Sequence, residues 1–502
     1  MIFFSDIFYF LTELYLLISF FILFLYFNFL QSKAFNSFFI FSLSSLTFFY
    51  LLLLSLFFVL ADFYINFCLN GTFLFYFMYH FNYFIMLLKF FLGALFIFYF
   101  IFVINTNFLE SIQFNEYSFI FFFYILFSFL FLSVLDLLTF FLLLEFQAIC
   151  SYTLISIERN SIYSIESSLR YWILNAITSL IILFSILFFY FEFGVLDLLT
   201  LSNCFYMLYL DFKLISFFYI HLFLASLLFL FSFFFKIGSF PFHVWNIDVY
   251  EFVSTKITLF FLVFPKFLLF ILFLKFFYAS FDVFLNFFSA VITFSFLLSI
   301  LFSVCFSIFQ DKIKKIFILN SIFSTGFQLF FISLSLLETL QGFFLYVFFY
   351  FINLFSFFFL KISVFEFNCF QIKFNFNLLN KLYYSNFFLS IIVLILTFSS
   401  LGIPPFSNFF CKIFIFYTSI LCKDYSDFLF LFFFSMISAF YHLRFVKSLF
   451  FDLCLGRIFF ISYPSYILSF FLSFFSFLLC FFFLDILPLF FFTNILIFYF
   501  LF

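Results

Sequence analysis

Residues 229–245 read FLFSFFFKIGSFPFHVW, a run of phenylalanines that carries one lysine, Lys236, and then breaks at Gly238 and Pro241. An ammonium group among aromatic carbons is costly to hold, and proline interrupts a helix by removing a backbone donor. The stretch therefore reads as a membrane helix interrupted beside a buried charge.

The rest of the chain agrees with that environment. Of its 502 residues 69% are hydrophobic and 8% charged, which excludes a soluble globular protein. A spanning helix needs roughly 20 apolar residues. Fourteen candidate spans satisfy this, at 11–30, 38–60, 82–104, 117–134, 137–157, 167–193, 214–247, 257–274, 283–309, 313–333, 342–360, 385–421, 428–441 and 461–484. The expected fold is an all-α membrane protein of about fourteen transmembrane helices.

Alternating these spans places Lys33, Arg159, Arg170, Lys256, Lys312, Lys314, Lys315, Lys361, Lys373, Lys381, Arg444, Lys447 and Arg457 on one side of the membrane. The other side receives only Lys213, Lys275 and Lys423. The basic side is thus expected to face the cytoplasm or the matrix, with both termini on the opposite side. MIFFSDIFYF at the start has no basic leader, so neither a transit peptide nor an ordinary signal sequence is expected. Abundant Phe, Leu, Ile, Tyr and Asn beside only 8 Gly and 6 Pro point to an A/T-rich organelle genome. The nine cysteines show no ligand spacing and read as small apolar core residues. No metal, haem, iron–sulfur or other cofactor site is expected, nor a nucleic-acid partner.

Four ionisable residues sit deep in the spans: Glu145, Lys236, Lys266 and Lys412. Each costs roughly 2.5–3.5 kcal/mol at a helix centre, so the set costs on the order of 10 kcal/mol. A structural ion pair explains this poorly, because three of these groups are lysines and one is a carboxylate. Desolvation favours the neutral amine, and a lysine that gains and loses a proton is a carrier. Lys89 lies nearer a boundary and is expected to snorkel to the interface. Gln147, Asn175, Asn320, Gln328 and Asn353 are expected to make helix–helix hydrogen bonds, and His243 to pack.

The two longest spans, 214–247 and 385–421, both contain G-x-x-P-F, at 238–242 and 402–406. Gly238, Pro241, Gly402, Pro404 and Pro405 are expected helix breaks, with Pro265 adding another beside Lys266. Matching breaks in two halves point to an ion path through inverted repeats. This gives an N-terminal three-helix segment (1–116), five-helix repeats at 117–278 and 279–448, and a C-terminal membrane helix and tail (449–502).

These residues resemble the antiporter-like membrane subunits of respiratory complex I. DLLTFFLLLEFQAICSYTLIS (136–156) is similar to that family's fifth helix, with its glutamate at Glu145. SIESSLRYWILNAITSLIILFSILFFYFEFG (164–194) is similar to the sixth. FKIGSFPFHVWNIDVYEFVSTKIT (235–258) resembles the seventh and places its lysine at Lys236, while FLVFPKFLLF (261–270) resembles the eighth, with Lys266. LGIPPFSNFFCK (401–412) resembles the broken twelfth helix and its lysine, Lys412. The chain departs from the family where Val253-Ser-Thr-Lys256 replaces a proline-containing segment and where Ser324 stands in place of a tenth-helix histidine. The resemblance implies proton translocation in NADH:ubiquinone oxidoreductase without a redox centre in this chain. It further implies the mitochondrial inner membrane, and as partners lipids, a subunit 4-like chain and small membrane subunits. A stand-alone cation/proton antiporter and a purely structural membrane subunit are the alternatives.

Overall fold

A computed structural model of the chain describes residues 10–32, 47, 49–60, 72–74, 78–107, 114–157, 161–210, 216–279, 285–334, 337–365, 382–383, 386–451 and 466–481. Lys33, Glu158, Arg159, Lys213, Lys373, Lys381 and Arg457 lie outside these residues, as do the first residues of the spans at 38–60 and 461–484.

The first helices are α1 (Leu11–Ser32), α2 (Phe49–Leu60), α3 (Tyr83–Asn107), α4 (Phe114–Ser133), α5 (Leu137–Ser156), α6 (Ile162–Phe193), α7 (Leu198–Leu210) and α8 (Ser216–Ile237). They are followed by α9 (Val244–Phe252), α10 (Thr255–Ala279), α11 (Leu285–Ile308), α12 (Ile313–Ser333) and α13 (Leu337–Phe365). The last are α14 (Phe387–Leu401), α15 (Ser407–Leu421), α16 (Tyr425–Phe450) and α17 (Tyr466–Phe481). Nine of these seventeen described helices are long and apolar enough to cross a membrane. Each of the fourteen expected spans contains a described helix, and two are divided, into α8 with α9 and α14 with α15.

Three features correct the sequence expectation. The chain is not wholly α-helical, because β1 (Thr72–Leu74) pairs antiparallel with β2 (Tyr79–Phe81), with Phe73 opposite His80. The hairpin rests on the loop after α4 through a bridge from Tyr79 to Val134 and a 2.9 Å bond from Leu135 N to Met78 O. Second, α7 forms where only a loop was expected; its thirteen residues reach about 20 Å, short of the bilayer core. Third, Pro265 does not break its helix, because α10 continues past it on both sides. The missing amide frees one carbonyl, that of Phe261, while the surrounding side chains remain packed.

The chain divides into two compact units. The first gathers Met1–Ile237 with Phe252–Phe284, and the second Gly238–Glu251 with Leu285–Ile497. In the first, α10 is the enclosed helix: Leu259, Phe260, Leu262, Val263 and Phe264 are buried. Phe264 stacks on Phe96 of α3 at 4.3 Å, and Phe267 meets Phe91 at 5.4 Å. In the second unit α13 takes that place, packed against α12, α14, α15 and α17. Serine hydroxyls within the helices bond carbonyls three residues back, as Ser299 does to Phe296 O at 2.8 Å, so they need no water. Local signals set several helix ends. Asp136 caps α5 by accepting from Thr139 N at 3.3 Å, and Gly194 ends α6 in the left-handed conformation at φ +68°.

Candidate functional site

In the first unit Phe140 of α5 stacks on Phe233 of α8 at 6.2 Å. About one turn further along both helices stand Glu145 and Lys236. Lys236 Nζ lies 3.9 Å from Glu145 Oε1, with the lysine side chain 8% and the glutamate side chain 31% exposed. At that separation the charges attract, but the distance is too long for a hydrogen bond. Glu145 Oε1 is buried and makes no hydrogen bond. The pair is therefore a Coulombic contact that can loosen without a bond being broken.

Lys266 projects from α10 and is 4% exposed. Between its helix and that of Glu145 lies Tyr171 of α6, which the sequence reading missed. Its ring meets Phe261 of α10 at 5.2 Å, and its hydroxyl accepts a 3.0 Å bond from Ser151 of α5. Tyr171 is also within electrostatic reach of Glu145. One aromatic hydroxyl among many in a chain of 30 tyrosines gives no local signal.

The interruption that follows Lys236 is built by two residues. Gly238 adopts φ +73°, and a Cβ there would lie 1.5 Å from Asn246 Nδ2, so only glycine fits. Asn246 of α9 donates to Gly238 O at 3.3 Å. A continued helix would have paired Ile237 O with the amide of residue 241, but Pro241 has none. His243 beyond the break packs against the stacked rings of Phe240 and Phe302, at ring separations of 5.7 and 5.5 Å.

The same construction recurs later in the chain. Gly402 has φ +74°, and the amide owed to Leu401 O falls on Pro405, which has none. Here the acceptor is claimed by a side chain: Lys412 Nζ donates to Leu401 O at 2.6 Å. The lysine stem passes so near Gly402 that a Cβ there would stand 3.0 Å from Lys412 Cδ. Asn353 Oδ1 accepts from Ser399 at 2.6 Å, and His442 Nδ1 lies 3.1 Å from Ser400 Oγ.

Glu145, Lys236 and Lys266 thus belong to the first unit and Lys412 to the second, with one direct ion pair among the four. Gln147 donates to Phe127 O of α4 at 3.4 Å, and Asn320 accepts from Tyr441 of α16 at 3.0 Å. Both take the helix–helix role expected of them, as Asn353 does. Lys89 does not snorkel: it is fully buried and forms an ion pair with Glu13, which is 5% exposed. Glu13 also accepts from Thr12 at 2.5 Å, so its charge is shared by two donors. Cys150 and Cys411 are core residues, whereas Cys305 is exposed.

Residues 134–439 match the family described as NADH:quinone oxidoreductase/Mrp antiporter, transmembrane region. A curated relative, NADH-ubiquinone oxidoreductase chain 2 of Marchantia polymorpha, is 29% identical over 311 residues. The match covers 61% of this chain and 61% of that relative, so the chain spans about three fifths of the length of the protein it matches. A chain of respiratory complex I from Thermus thermophilus shares the fold at a TM-score of 0.71 and 19% identity, over 95% of this chain and 98% of that one. A chain of an archaeal membrane-bound sulfane sulfur reductase does so at 0.78 and 17% identity, over 98% and 97%. With its interrupted helices and buried lysines, the chain belongs to the NADH:quinone oxidoreductase/Mrp antiporter transmembrane family.

Proposed function

We propose that the chain is the subunit 2-type, proton-translocating membrane subunit of an NADH:quinone oxidoreductase, with no redox centre of its own. A proton enters from the basic side and reaches Lys236, passes to Lys266, and leaves through Lys412 on the opposite side. Glu145 holds Lys236 charged; when that contact loosens, the ammonium loses its stabilising partner and releases the proton inward. The host membrane is the mitochondrial inner membrane with the basic side toward the matrix, and the partners are a subunit 4-like chain, small membrane subunits and lipids. The two halves, 117–278 and 279–448, act as inverted repeats, each with one interrupted helix.

The observation that carries this reading is the 3.9 Å contact between Lys236 and Glu145 directly before a helix break, within the segment that matches the family. A cation that is buried, has a carboxylate near it but makes no hydrogen bond to it, and ends an interrupted helix suits proton exchange better than packing. The relative's printed name favours an NADH-linked complex over a stand-alone antiporter.

Lys266→Ala in the assembled complex is the test. It is expected to abolish most proton pumping per NADH while leaving the assembled amount near normal. Unchanged pumping would refute the relay. Cation exchange by the purified chain alone in vesicles would favour the antiporter.

A further inference from the structure

His442 of α16 is 5% exposed, and its Nδ1 lies 3.1 Å from Ser400 Oγ on α14. The Ser400 hydroxyl also lies 2.8 Å from Thr397 O, and its one hydrogen goes either there or to the imidazole. In both cases Nδ1 is engaged by Ser400, and Nε2 is the nitrogen left to exchange a proton. The next residue, Leu401, holds Lys412 through its carbonyl, and Lys412 is within electrostatic reach of His442. The interruption at Gly402 thus presents an imidazole and an amine at neighbouring backbone positions.

Among the described groups facing His442, the charged one is Lys412 from α15. Ser400 from α14 is neutral, and α12 offers Asn320 to the neighbouring Tyr441 at 3.0 Å. The Tyr441 ring lies 4.2 Å from the imidazole. Two residues beyond His442, Arg444 donates to Ile308 O at 3.2 Å, to Gln310 O at 3.1 Å and to Asp311 at 2.5 Å. The Asp311 side chain is 80% exposed, so this end of α16 reaches the charged surface of its unit.

We propose that His442 exchanges protons with Lys412 through Nε2, taking them up from the Arg444–Asp311 side. In the step, the imidazolium gives its Nε2 proton to the neutral amine. One N–H bond breaks as another forms, the imidazole becomes neutral as the ammonium appears, and a hydronium ion from the surface then gives Nε2 a proton and becomes water. No electron moves. His442 becomes an uptake residue of the second unit, a role that rests on the proton-translocation reading.

The test uses the assembled complex in sealed vesicles, carrying His442→Gln, Ser400→Ala or Lys412→Met, with pumping per NADH measured against pH. His442→Gln should lower pumping-linked turnover about a hundredfold, the low end of what a positioned acid–base group contributes. Ser400→Ala releases Nδ1 and should displace the pH profile with a smaller loss. If His442→Gln is silent while Lys412→Met is impaired, the role of His442 is overturned and the translocation reading stands. If both are silent, that reading itself falls. Should His442→Gln not assemble, an unmoved pH profile in Ser400→Ala overturns the inference.

Discussion

Lys89 and Glu13 show what an apolar interior demands of a charge. Breaking a buried ion pair from one side leaves an uncompensated ion and costs about 3–5 kcal/mol, whereas replacing both partners by apolar groups is often near neutral. Lys89→Met is therefore expected to lower the thermal stability of the protein markedly, and Glu13→Leu with Lys89→Met to restore most of it. Thermal inactivation of the two variants measures this, and equal losses in the single and double variants would show that the pair is not the cause. Glu145, Lys236, Lys266 and Lys412 were legible in the sequence because lone charges stand out against phenylalanine and leucine. The Lys89 partner was not, because it lies 76 residues away near a helix end, where a carboxylate reads as solvated. His442 was hidden for a different reason: its meaning depends on Ser400, which a distant segment brings to it.

At the level of elements, the two G-x-x-P-F segments foretold their structure closely. Proline four residues after Ile237 or Leu401 removes the amide that each carbonyl would have received, and glycine then takes the left-handed turn. Gly402→Ala should cost roughly 1–2 kcal/mol for the backbone conformation and push against the Lys412 stem as well. Lower thermal stability together with impaired pumping is expected, whereas the same stability loss with normal pumping would show that the lysine tolerates displacement. Pro265 lacks a glycine three residues before it, and its helix runs on. The hairpin and α7 escaped the sequence reading because they are short, and in a chain this apolar their composition resembles that of the spans.

For the molecule as a whole, a multi-span helical membrane chain could be read because long apolar runs fill it, while the partition into two compact units could not. That partition depends on which faces pack, and phenylalanine on every face erases the pattern that would tell them apart. Within the second unit, Glu251 at the end of α9 binds Lys312 at 2.6 Å and Lys315 at 2.7 Å, while Lys314 bonds its carbonyl at 2.7 Å. Burial alone would raise the Glu251 carboxyl, but the hydrogen bonds and charge of Lys312 and Lys315 outweigh it and hold the group below its ordinary value. A depressed carboxylate stabilises the fold fully above its unfolded pKa of about 4.3 and loses that effect as pH falls through the folded value. Glu251→Gln should accordingly lower the melting temperature at neutral pH, with the deficit closing toward acid. A deficit independent of pH would assign it to packing instead. The bond from Lys412 to Leu401 O has a mechanical corollary. A protonated amine is a ligand of the parted backbone, so by reciprocity the shape of the main chain governs how firmly that proton is kept. Straightening the segment would take Leu401 O away from the amine and so loosen its hold on the proton, coupling a bend of the chain to a charge.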